Sequence, residues 1–142
     1  MRALLDVNVL IALLDSAHVH HRPATAWLQA NVASGWASCP LTQNGCVRIM
    51  SQPVYPNARP AAVIAARLRE AAQTPLHEFW PDQLSLLDEA VFDWQQLFHP
   101  RQLTDAYLLA LAVRHDAVFV TFDHAVPLRA VHQAAETHLV RL

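Results

Sequence analysis

The stretch LTDAYLLALAVRHDAVFVTFD, residues 103–123, constrains the fold more than any other part of the chain. Residues 103–115 have helical spacing but are apolar nearly all round, so the helix they form needs cover on almost every side. After the turn residue Asp116 the pattern changes to AVFVTF (117–122), a β-branched and aromatic run that gives the strongest strand signal in the chain. A helix with almost no solvent face, leading at once into a buried strand, calls for a sheet with helices packed against it.

The rest of the chain repeats that alternation. Strands are expected over 2–5, 36–42, 77–82, 117–122 and 137–142, and helices over 6–15, 21–32, 42–51, 60–73, 84–98 and 103–115. Asn8 is the expected N-cap of the first helix and Thr42 of the third. Pro60 sits at the first turn of the fourth helix, and His99-Pro100 ends the fifth. Three prolines make 52–60 a loop. The pattern predicts an α/β fold with a mainly parallel sheet of about five strands between helical layers, in a single domain over 1–142.

Composition narrows the function. Hydrophobic residues make up 54% and charged residues 15%, which describes a packed chain rather than a disordered one. A net charge of −2 argues against coating nucleic acid by bulk charge. All ten basic residues are arginine; with alanine also abundant, codon bias in a GC-rich genome explains this better than phosphate recognition does. Cys39 and Cys46 lack the spacing of a zinc or redox motif, and a reduced cytoplasmic setting fits them. No apolar run reaches the roughly 18–20 residues of a membrane span.

In an open α/β sheet, ligands bind at the carboxyl ends of the strands. Asp6 ends the first strand, Asp123 follows the fourth, and Asp105 lies in the first turn of the helix feeding the fourth. Each has an ordinary explanation as a cap, a turn former or a partner of a helix dipole. All three together, with the first and fourth strands adjacent, would gather carboxylates at one sheet edge. Clustered carboxylates repel, and a hard divalent cation relieves them. Mg²⁺, or Mn²⁺, bound there could serve phosphodiester hydrolysis.

At these residues the chain resembles the PIN-domain family, and within it the VapC-type ribonuclease toxins of prokaryotic toxin–antitoxin pairs. The likeness rests on LLDVNVLIALLD (4–15), on 103–123, and more weakly on CPLTQNGCVRI (39–49). It implies a three-layer α/β/α fold, an Mg²⁺-dependent endoribonuclease acting on RNA, a cognate VapB-type antitoxin, and pairing as homodimers. It implies that Asp6, Asp105 and Asp123 are catalytic and hold the metal, with Asn8 and Thr121 ordering them. One departure stands out. Where the family usually places a glutamate, this chain has the amides Gln43 and Asn44, which order water or substrate without adding charge.

Arg48, on the same helix, is the expected contact for a substrate phosphate. His18, His20 and His21 are read as a solvated helix entry, and Trp27, Trp36, Trp80 and Trp94 as core or interface residues rather than base-stacking platforms. A catalytically weak PIN-fold domain that binds RNA or a protein is the competing function. A phosphatase or receiver domain would need a lysine near the phosphate, and the chain has none.

Overall fold

The computed structural model describes residues 1–142. Five strands, β1 (Ala3–Leu5), β2 (Trp36–Ser38), β3 (His77–Phe79), β4 (Val118–Thr121) and β5 (Leu139–Arg141), form one sheet in the order β3-β2-β1-β4-β5. Every pairing is parallel. The helices are α1 (Val7–Leu14), α2 (His21–Asn31), α3 (Pro40–Met50), α4 (Ala61–Ala72) and α5 (Leu103–Arg114).

Side chains alternate along each strand, so neighbouring residues enter different cores. Leu4, Ala37 and Phe119 pack with α5 on one face. Ala3, Leu5, Trp36 and Val120 pack with residues of α1, α3 and α4 on the other. This is a three-layer α/β/α arrangement. As its composition requires, α5 is buried continuously from Asp105 to Ala112. Asp116 makes the turn to β4 with φ 49°, the only non-glycine residue at positive φ.

Several local expectations are corrected. Residues 84–98 are not a helix but turns, a 3₁₀ turn at Trp94–Gln96 and an isolated antiparallel bridge between Phe92 and Val131. Short polar side chains there bond back to the main chain: Ser85 Oγ accepts from Leu87 N, Asp88 Oδ1 from Ala90 N and Asp93 Oδ1 from Gln95 N. These local bonds compete with a helical ladder. The apolar residues still do their packing work, with Phe92 buried and Leu84, Leu86, Val91 and Leu97 laid against the α5 core.

Asn8 is not the cap of α1; Asp6 is, its Oδ1 accepting from Val7 N at 2.7 Å. Strand β2 stops at Ser38 rather than 42, because Pro40 already begins α3. Thr42 therefore lies inside the first turn of α3, where its Oγ1 accepts from Cys39 N at 3.0 Å. Pro60 is the N-cap residue of α4 rather than part of its first turn. Residues 136–138 form a 3₁₀ turn before β5.

The α1–α3 contact sets how α1, and Asp6 at its head, sits on the sheet. Gly45 of α3 makes the close approach possible, since a Cβ there would stand 2.6 Å from Val7 Cγ2 and 3.1 Å from Cγ1. Valine is stiff at χ1 and cannot swing clear. Gly45→Ala is expected to destabilise the protein by about 1–3 kcal/mol, the range for overpacking. In urea unfolding, the double variant with Val7→Ala should recover part of that loss; strictly additive losses would contradict the contact.

Candidate active site

The carboxyl ends of β1 and β4 lie side by side, with Leu5 paired to Val120. β1 hands its chain to the site at Asp6, one residue past its end, and β4 contributes its own last residue, Thr121, with Asp123 two residues beyond. Asp6 leaves β1 with its main chain still tied to the sheet, Asp6 N donating to Val120 O at 3.0 Å. Thr121 ends β4 fully buried, and its hydroxyl is the hub of the site. It donates to Asp6 Oδ2 at 2.6 Å and accepts from Asp123 N at 3.0 Å and from Asn8 Nδ2 at 3.3 Å. One donor and two acceptor positions are all a hydroxyl offers, and all are used. Asn8 completes the frame, its Oδ1 accepting from Phe122 N at 3.4 Å.

Asp105 enters from the first turn of α5 and is buried, as is Asp6. Burial pushes the Asp105 carboxyl up to about 7, helped by the Asp6 and Asp123 charges and by a hydrogen bond with the Asp123 side chain. Asp6 is raised too, chiefly by burial and further by Asp123, while its bonds from Thr121 and Val7 oppose the rise. Asp123 is exposed, and its Oδ1 accepts from Ala125 N at 2.7 Å. The three acids thus share one electrostatic neighbourhood. No cation of the protein relieves them, since the ion pairs are Arg2–Glu78 and Arg141–Glu136.

An all-oxygen cluster short of positive charge suits a hard divalent cation such as Mg²⁺ or Mn²⁺. No three His, Cys, Asp or Glu side chains already form a ready-made ligand set. A cation here would be held by part of the trio together with oxygens of water or substrate.

The other expected site residues divide. Gln43 is half-buried and bonded through Nε2 to Ser38 Oγ at 3.0 Å, and the same hydroxyl lies 2.8 Å from His77 Nε2. Asn44 and Arg48 are exposed on α3, with no side-chain bond to the acids. His20 stacks on Phe122 with ring centroids 4.5 Å apart, while His21 Nδ1 lies 2.7 Å from Ala12 O, so the histidines form no cluster of ligands. Trp36 and Trp80 are buried and Trp94 is exposed. Sequence reasoning missed Ser38, a buried polar residue at the end of β2, whose only signal was its place at a strand end beside that of Asp6.

The description "PIN domain" belongs to the family model that matches residues 3–131. Over 142 residues, all of both chains, the sequence is 54% identical to Ribonuclease VapC44 of Mycobacterium tuberculosis. It is 41% identical over 127 residues to Ribonuclease VapC39 of the same organism, covering 89% of this chain and 91% of that one. The fold is similar to a crystal structure of Mycobacterium tuberculosis VapC20, a sarcin-ricin loop cleaving toxin. That match has a TM-score of 0.62 at 17% identity and covers 94% and 97% of the two chains.

The Asp105 carboxyl should titrate with a midpoint near 7 in carboxyl ¹³C NMR. Asp123→Asn should lower that midpoint by removing a neighbouring charge. A raised acid binds more protons in the folded than in the unfolded chain. Asp105 therefore contributes a loss of stability as pH climbs from about 4 to about 7, and none above. In urea unfolding, Asp105→Asn should flatten the pH dependence across that window; an unchanged slope would contradict the assignment.

Proposed function

The chain belongs to the PIN-domain family, and we propose that it is a VapC-type endoribonuclease, the toxin of a toxin–antitoxin pair, hydrolysing RNA phosphodiester bonds with a divalent cation. The observation that carries this reading is the joining of Asp6 and Asp123 through Thr121, with Asp105 close enough to feel both charges and no ion-pairing cation of the protein among them. Full-length identity of 54% to a protein named as a ribonuclease supports the activity.

Asp6 and Asp105 would hold Mg²⁺, with Mn²⁺ as a substitute. A bound cation would supply Lewis acidity at the phosphodiester and offset the negative charge that develops there. Asp123 has one oxygen committed to Ala125 N; with Asp105 ionised and no longer sharing a proton with Asp123, the other would orient the attacking water and accept its proton. Thr121 and Asn8 keep the acids in register. Arg48 would bind a phosphate of the RNA, and Gln43 and Asn44 would order water or substrate without adding charge.

A cognate VapB-type antitoxin is the proposed protein partner. Leu87, Trp94 and Phe98, exposed to 83%, 45% and 72%, offer apolar surface for a homodimer. No helix is long and apolar enough to cross a membrane, and a cytoplasmic location is proposed.

A second reading is a domain that retains RNA without cutting it. Gln43, bonded to Ser38 where the family usually has an acid, favours it. Purified protein freed of antitoxin and given cellular RNA with Mg²⁺ separates the two. Cleavage that is lost on chelation and restored by Mg²⁺ supports the nuclease; RNA retention without cleavage supports the binder. Asp6→Asn, Asp105→Asn and Asp123→Asn should each lower cleavage at least about 10²-fold with the fold intact. Arg48→Ala should raise KM roughly tenfold, the value of one charge-assisted hydrogen bond; an unaltered KM would remove Arg48 from the site.

A further inference from the structure

We propose that Gln102 is a positioning residue that locks Asp123 to the helix carrying Asp105, an inference that rests on the three-acid reading of the site. Gln102 directly precedes α5 but does not cap it with its side chain. Its Nε2 instead reaches across to Ala125 O at 3.0 Å. Ala125 N in turn donates to Asp123 Oδ1 at 2.7 Å. Two hydrogen bonds in series therefore run from the start of α5 to the Asp123 carboxylate, while Asp105 sits in the first turn of the same helix.

The segment being held has little else to hold it. Asp123, His124 and Ala125 are exposed, and burial resumes only at Val126. Thr121 Oγ1 anchors the backbone of Asp123 but does not reach its carboxylate. Rotation of that side chain is restrained by its bond with Asp105 on one side and by Ala125 N on the other, and the exposed Ala125 is restrained by Gln102.

A second observation singles out the same side chain. Gln102 Oε1 is the one buried side-chain polar atom in the structure without a hydrogen-bond partner. An unsatisfied buried acceptor is a cost that calls for an explanation. An unbranched apolar side chain of the same length would fill the place without it. What the amide adds is the Nε2 donor to Ala125, so the orphaned carbonyl is the companion of the lock.

Gln102→Met keeps the length and removes the donor and the unpartnered acceptor together. In metal-free full-length protein, the lock predicts a Tm equal to or above that of the wild type. Amide exchange at Ala125 should be faster by roughly tenfold, the equilibrium effect of one hydrogen bond. Mn²⁺ binding followed by calorimetry should weaken severalfold in the same variant. Unchanged exchange at Ala125 would overturn the proposal, as would faster exchange with unaltered Mn²⁺ affinity. A lowered Tm with faster exchange throughout α5 would assign Gln102 an ordinary structural role and also overturn it. Failure of the wild type to bind Mn²⁺ would instead sink the cation reading, leaving the exchange result to decide the lock by itself.

Discussion

The hydrogen bond from Thr121 to Asp6 joins the two strands of the site at the point where both stop being strands. Asp6 must cap α1, follow β1 and carry a buried charge at once. Its two oxygens divide the work, Oδ1 taking Val7 N and Oδ2 taking the Thr121 hydroxyl. Without the hydroxyl, burial would act on Asp6 with one opposing bond fewer. The same hydroxyl accepts from Asp123 N, so one small side chain sets two of the three acids relative to each other. The central position of β1 and β4 in the sheet makes this rigid, since each has a parallel neighbour on both sides.

Asp105 is placed by different means. It rides on the most buried helix of the fold, and that burial raises its affinity for a proton. The site therefore combines one hydrogen-bonded acid, one desolvated acid and one exposed acid. That division of environments lets a cluster of like charges persist beside an apolar core. It also raises the cluster's affinity for a proton at Asp6 and Asp105, and a divalent cation is the proposed alternative occupant. With Gln43 turned to Ser38, α3 adds no carboxylate to the three aspartates.

Much of this was legible in the sequence wherever a signal was local. The buried run at 103–122 demanded a sheet with helices on it, and the acids at strand ends pointed to the edge where the structure brings Asp6 and Asp123 onto one hydroxyl. Residues 84–98 were misread because their apolar spacing suits a helix, whereas Ser85, Asp88 and Asp93 turn the backbone on itself. The spacing reported burial correctly but not conformation. The cap of α1 was assigned to Asn8, whose amide is spent on Thr121 and Phe122, while Asp6 takes that role. The links of Gln43 and His77 to Ser38, and of Gln102 to Ala125, carried no signal. Their partners are a small side chain and a main-chain oxygen, and the His77 and Gln102 partners lie 39 and 23 residues away.

The proposed chemistry requires the three aspartates to act as one cation site. The most direct measurement is anomalous diffraction from a crystal soaked in Mn²⁺. A peak within coordination distance of carboxylate oxygens from at least two of Asp6, Asp105 and Asp123 is the predicted result. A saturated soak with no peak at this edge of the sheet, or with Mn²⁺ bound only elsewhere, would contradict it.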